Sequence, residues 1–228
     1  MDVDREDSVR EGVARVLAAE GRIDVLVNNA GFGLAGAVED TSIEEARSLI
    51  ETNLLGPLRL CRAVLPAMRD QGCGLIVNVS SLAGRAAVPF QGIYSATKFA
   101  LEGLTEALRM EARPFGVAVV LLEPGDLRTG FTASRRVVAA ARVNPAYRER
   151  FARALAAMEK DERHGAGPGA AAAALVRIVG ARSPRLRYAV GPLTERSAVW
   201  LRRFAPPALF ERLVAAHYEG TRNRSPRP

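Results

Sequence analysis

The chain has 228 residues, 48% of them hydrophobic, which suits the core of one α/β domain. Its formal net charge is +7, but the excess is arginine scattered through helical stretches and concentrated after residue 180. No compact basic block is interleaved with aromatics, which argues against nucleic acid as a partner.

Apolar Val9, Val13, Val16 and Leu17 fall at i, i+4, i+7 and i+8, one face of a helix over about 5–20. Ile23–Val27 reads as a short buried strand. The loop after it holds Gly31-x-Gly33-x-x-Gly36, the pattern of a dinucleotide cradle, with Glu51 twenty residues past Gly31 where a ribose-binding acid is sought. A phosphate cradle runs straight into its helix. Here the helix opens six residues later at a capping box, Ser42-x-x-Glu45, behind Glu39 and Asp40, which repel phosphate. That helix is expected to reach about residue 70. Pro57 has no N–H for the Asn53 carbonyl, which predicts a kink and an acceptor able to hold a water, or a kink with no role.

"GLIVNVSS" (74–81) is the next strand, and a helix runs from near Phe90–Tyr94 to about Arg113. "GVAVVLLEPG" (116–125) is a strand ending in a Pro-Gly break. Residues 130–168 are polar and partly helical, 169–181 form a helix, and "LRYAVG" (186–191) is the last strand. Apolar runs alternating with amphipathic helices predict a doubly wound α/β fold, a parallel sheet covered on both faces. Residues 1–191 are expected to form this domain. Residues 192–228 are expected to add a helical lid carrying Trp200, Leu201, Phe204, Leu209, Phe210 and Leu213, then a disordered basic tail, "TRNRSPRP".

Cys61 and Cys73 have no C-x-x-C or metal-ligand spacing, and His164 and His217 read as surface or loop residues, so no metal site is expected. No apolar run approaches the ~18 residues that span a bilayer. No basic-then-apolar leader opens the chain, and a cytoplasmic location is expected.

The chemistry is carried by Tyr94 and Lys98, four residues apart on one helical face. A free tyrosine has a pKa of about 10. A nearby ammonium is expected to lower it, so that the pair exchanges a proton with a carbonyl or hydroxyl near neutral pH. Ser81 ends a parallel strand, where α/β sheets place ligands, and could hold a substrate oxygen beside the phenol. A core tyrosine, a surface lysine and a loop serine remain the plainer reading of each residue alone.

Taken together, Asn28-Asn29-Ala30-Gly31 after a strand, Asn53, "NVSS" with Ser81, Tyr94-x-x-x-Lys98, and Pro124-Gly125 with Thr129 resemble the short-chain dehydrogenase/reductase family over about residues 1–190. The resemblance implies a Rossmann-type fold and a nicotinamide cofactor, NADP or NAD. It implies that Tyr94 is the acid/base, that Ser81 orients the substrate oxygen, and that Lys98 lowers the tyrosine pKa and holds the nicotinamide ribose. Asn53 would hold a proton-relaying water. Asp2, Val3, Asn29, Ala30, Gly31, Pro124, Gly125, Leu127 and Thr129 would contact the cofactor. Gly33 and Gly36 would belong to a substrate-side loop, and a homodimer or homotetramer would form through the helices at 42–70 and 93–113.

The sequence departs from the family at its start. "MDVDREDSV" looks like the end of the family's third strand, so the first β-α-β-α portion and its Gly-rich turn are expected to be missing, leaving the 23–28 strand as an open apolar edge. Three readings follow. One is an oxidoreductase acting on a small apolar ketone, aldehyde or alcohol, similar to the steroid- and retinol-oxidising branch, with its recorded start too late. Another is a non-catalytic remnant or interaction protein. The third is a membrane-surface protein that uses the C-terminal aromatics with Arg202, Arg203 and Arg212.

Overall fold

A computed structural model of the chain describes residues 1–220; the expectation for "TRNRSPRP" lies outside them. The first helix, α1 (Glu6–Glu20), stops at Gly21, which takes a left-handed φ of 73° while its N–H bonds to the Leu17 carbonyl. The main sheet is formed by β1 (Val25–Asn28), β3 (Gly74–Val79), β4 (Val117–Pro124) and β6 (Arg187–Val190), in that spatial order and all parallel. Val25 stands opposite Leu75, Gly74 opposite Val117 and Leu121 opposite Arg187. β1 is an edge strand, and its Val25, Leu26 and Val27 are only partly buried.

Side chains alternate across the sheet and so sort its two faces. Ile76 and Val119 pack with Val9 and Val13 of α1 and with Leu60, Val64 and Met68 of α3 (Gly56–Asp70). Val77, Val120 and Leu122 pack with Ala174 and Ile178 of α7 (Gly169–Val179). Both faces are covered, as continuous apolar strands require. Between β3 and β4 runs α4 (Gly92–Ala112). Its place is set by a buried polar rail. Asn28 Nδ2 donates to Asn78 Oδ1 at 2.8 Å, Asn78 Nδ2 donates to Thr105 Oγ1 at 2.9 Å, and Thr105 Oγ1 donates to the Leu101 carbonyl at 2.6 Å. An unmade bond in this rail would leave a buried polar group without a partner.

The expected kinked helix over 42–70 is three pieces: α2 (Ile43–Ile50), a π turn (Glu51–Leu55) and α3. The Ser42 hydroxyl accepts from Glu45 N–H at 3.1 Å, and the Glu45 carboxylate accepts from Ser42 N–H at 2.9 Å, which completes the capping box. At the π turn the Gly56 N–H reaches the Glu51 carbonyl, five residues back. Pro57 offers no N–H, and the chain widens by one residue instead of simply bending. Glu51 forms an ion pair with Arg59 and takes a structural role.

The 130–168 segment is helical in part, as expected, but it also holds a short strand that the sequence did not announce. A short α5 (Phe131–Ser134) leads into β5 (Arg136–Val137), which pairs in parallel with β2 (Leu34–Ala35). This explains the loop glycines. A Cβ on Gly36 would lie 2.5 Å from Val138 Cβ, and one on Gly33 would lie 3.1 Å from Phe131 Cζ. They permit close approach of the 131–138 segment rather than of a phosphate. A third core forms above the sheet, where α6 (Arg148–His164) sets Phe151, Ala154 and Met158 against Phe32, Leu34, Phe90 and Tyr94. The C-terminal region is two helices, α8 (Leu193–Leu201) and α9 (Pro207–Glu219). α9 is tied to α6 by Arg150, whose guanidinium holds the Glu219 carboxylate at 2.7 and 2.8 Å. Among the described residues no helix is long and apolar enough to cross a membrane.

Candidate active site

The carboxyl ends of β1, β3 and β4 open into a cavity of about 700 Å³. It is roofed by α6, α8 and α9 and lined by apolar side chains, among them Leu82, Val88, Leu122, Leu127, Met158 and Val199. Asn29, Gly31, Ser81, Tyr94, Lys98, Pro124, Gly125, Leu127 and Thr129 all line it. Residues scattered over a hundred positions therefore meet in one place. Ala30 is exposed beside Asn29 and Gly31. Asp2 and Val3 lie elsewhere, at the start of α1. The Asp2 N–H bonds to Ser8 Oγ at 2.8 Å, and Val3 packs on Gly56 while its carbonyl accepts from Arg59.

Ser81 sits just past β3, extended, with its hydroxyl accepting from Ala83 N–H at 3.1 Å and close enough to Tyr94 to favour its ionised form. One turn into α4, Tyr94 is buried, with its ring 5.8 Å from that of Phe131. Lys98 follows one turn on. Its ammonium donates to the Val79 carbonyl at 2.9 Å and stands 5.8 Å from the centre of the Tyr94 ring. Asn53, on the π turn, lies behind Gly31. A Cβ on Gly31 would stand 3.0 Å from Asn53 Oδ1 and 3.9 Å from Lys98 Nζ, so glycine is the residue that fits.

The electrostatics depart from the sequence expectation in one respect. Burial pushes the Tyr94 hydroxyl up to about 12, and the influences opposing this are the nearby Ser81 hydroxyl and the charge of Arg135; Lys98 is not among them. The reason lies on the lysine itself. Burial brings Lys98 down to about 8, against a small opposing pull from Glu102, and its ammonium is turned to the Val79 carbonyl.

Several groups at the cavity escaped sequence reading. Arg135 forms a buried ion pair with Glu162, whose carboxylate also accepts from Thr132 Oγ1 at 2.6 Å. Asp126 is pushed up to about 7, first by burial and then by the carboxylates of Glu195, Glu162 and Asp161. Its N–H donates to Glu195 Oε2 at 2.8 Å. His217 is exposed, as the sequence suggests, but it also stands at the cavity and meets Asp161 at 2.7 Å. These contacts join residues 27 to 69 positions apart, and no local spacing marks them.

Comparison with known proteins gives the same picture. Residues 1–138 match the family model for short chain dehydrogenases. The chain is 43% identical over 205 residues to a 3-ketodihydrosphingosine reductase of Bacteroides thetaiotaomicron, covering 88% of this chain and 76% of that one. It resembles the solved structure of a short-chain dehydrogenase from Streptomyces avermitilis with a TM-score of 0.79 and 35% identity, over 95% of this chain and 76% of the other. A short-chain dehydrogenase/reductase from Burkholderia phymatum, solved in complex with NAD, matches with a TM-score of 0.75 and 28% identity over 89% of this chain and 73% of that one.

Proposed function

This chain is an oxidoreductase of the short-chain dehydrogenase family, and we propose that it interconverts a ketone or aldehyde with an alcohol on a long apolar substrate, with Tyr94 moving the proton. The observation that carries the reading is Ser81 beside Tyr94, with Lys98 one helical turn on, all lining one largely apolar cavity of about 700 Å³.

The residues present fit the nicotinamide end of a cofactor. Asn29, Ala30 and Gly31 are exposed at the carboxyl end of β1. Gly31 has no room for a side chain, and the Lys98 ammonium gives one of its three donors to Val79, leaving two for ribose hydroxyls. Pro124, Gly125, Leu127 and Thr129 form the facing wall, and either NAD or NADP suits the reading. When bound, the cofactor exchanges a hydride with the carbonyl carbon.

The protein's own task is the proton. In reduction, Tyr94 Oη gives its proton to the carbonyl oxygen, which becomes the hydroxyl; in oxidation it takes that proton back. Burial keeps Tyr94 protonated at neutral pH, the state a proton donor needs. Ser81 holds the same oxygen and fixes its distance from Tyr94. Lys98, brought down to about 8, exchanges protons readily near neutrality and resupplies the tyrosine through a water on the Asn53 carbonyl. Assembly into a dimer or tetramer through α3 and α4 belongs to the same reading, and sedimentation of the purified chain tests it.

The substrate we favour is a long-chain amino ketone of the kind the Bacteroides relative is named for. The apolar lining takes the chain. Asp126 and Glu195, which lie together on the same wall, offer carboxylates to an ammonium group. The test compares a long-chain amino ketone with its N-acetyl derivative, followed by nicotinamide absorbance. A preference for the free amine of at least roughly tenfold in kcat/KM, about 1.4 kcal/mol, supports the reading. Equal rates would remove the amine from it.

A further inference from the structure

We propose that α8 and α9 form a docking face for an anionic lipid bilayer, laid around the mouth of the cavity. These helices and the turn between them expose Trp200, Phe204 and Leu209, with no apolar surface over them among the described residues; Trp200 and Phe204 are each more than three-fifths exposed, at 64% and 63%. Their rings meet in a tilted contact, centroids 4.9 Å apart. Leu201 and Leu213 are about half exposed and also line the cavity. Apolar surface thus continues from the cavity wall onto the exposed face at Leu201 and Leu213. Isolated exposed apolar residues need no explanation, but a contiguous patch marks an interaction site.

The charges say what the patch meets. Arg196 of α8, Arg212 of α9 and Arg202 and Arg203 of the turn between them are all exposed. Their acidic neighbours are largely turned inward. Glu195 accepts from the Asp126 N–H beside the cavity, and Glu219 is held by Arg150, leaving Glu211 as the exposed acid within α8 and α9. Arg202 lies over both Phe99 and Phe210, at 5.5 and 6.0 Å, and Arg203 over Phe204 at 6.0 Å. Arginines interleaved with aromatics keep their stems on apolar surface and their heads free for lipid phosphates and carboxylates. Short helices with aromatics and arginines on one surface lie in a membrane interface rather than across it. A second copy would have to bury four arginines against their own kind, which disfavours it as the occupant.

The face would let an apolar substrate pass from lipid to cavity without crossing water, but the docking requires no turnover and is tested separately from the reaction. The full chain is mixed with vesicles of phosphatidylcholine, with and without phosphatidylserine, and floated at low and high salt. Trp200 is the protein's single tryptophan and reports its own burial. Flotation with phosphatidylserine vesicles, loss of binding at high salt and a blue shift of the tryptophan emission are expected. Phe204→Ser with Leu209→Ser should abolish the shift. Arg202→Glu with Arg203→Glu should weaken binding by at least roughly tenfold, at about one charge interaction per arginine. Circular dichroism confirms that each variant is folded. Failure of the wild-type chain to float, equal binding to neutral vesicles, or a sedimenting dimer with Trp200 shielded from a soluble quencher would each overturn the proposal.

Discussion

The side-chain amide of Asn53 and the backbone of Phe32 hold each other in both directions: Phe32 N–H donates to Oδ1 at 3.1 Å, and Nδ2 donates to the Phe32 carbonyl at 3.0 Å. Asn53 is 1% exposed. The π turn presents it, and the loop beyond β1 hangs from it. Asn53→Ala leaves both Phe32 groups unpartnered and is expected to cost about 2–4 kcal/mol at up to ~2 for each group. Urea unfolding of the two proteins checks this; an unchanged midpoint would show that the clasp is not needed to hold the loop.

Two glycines should respond to the same substitution with opposite sign. Gly36→Ala places a Cβ against Val138 and forces β2 and β5 apart, at an expected cost of about 1–3 kcal/mol. Gly103→Ala, on the exposed side of α4 with nothing within 4 Å of the new Cβ, should stabilise by about 0.5–1 kcal/mol. Thermal melts of both variants decide it, and a destabilising Gly103→Ala would contradict the helix geometry.

Asp126 sets a pH dependence of stability. Its pKa rises from 3.8 to about 7 on folding, so between about pH 4 and 7 the folded chain keeps a proton that the unfolded chain has lost. Stability therefore falls as pH rises through that window. The advantage of the neutral carboxyl is complete below about pH 4 and gone above 7. Asp126→Asn should flatten the slope and stabilise the chain above pH 7 by about 1–3 kcal/mol. Denaturant titrations at several pH values measure it; parallel curves for the two proteins would mean that Asp126 does not bear this charge cost.

What was legible in the sequence was what local chemistry decides. β3 and β4 announce themselves as continuous apolar runs, and α1 and α4 by their spacing. Ser42 and Glu45 mark a helix start because both ends of their hydrogen bonds lie within four residues. Tyr94, Lys98 and Ser81 were found because one helix turn and one strand end bring them to the cavity. Long-range contacts were not legible. The two-residue strands β2 and β5 carry no period to read, and they pair only because Gly33 and Gly36 let residues a hundred positions apart come close. The Arg135–Glu162 ion pair and the Asp126–Glu195 contact depend on how α6 and α8 close over the sheet. The direction of the Tyr94 shift also depended on burial, which Y-x-x-x-K spacing does not encode.

The central claim is tested most directly by Tyr94→Phe, assayed beside the wild-type chain. Each is titrated with NADPH and NADH by nicotinamide fluorescence, then given a long-chain ketone, with circular dichroism to confirm the fold. Both proteins are expected to bind cofactor alike, and the variant to lose at least roughly a hundredfold in turnover because only the proton donor is gone. A Tyr94→Phe protein turning over near the wild-type rate, or a folded wild-type chain that binds neither cofactor, would contradict the account.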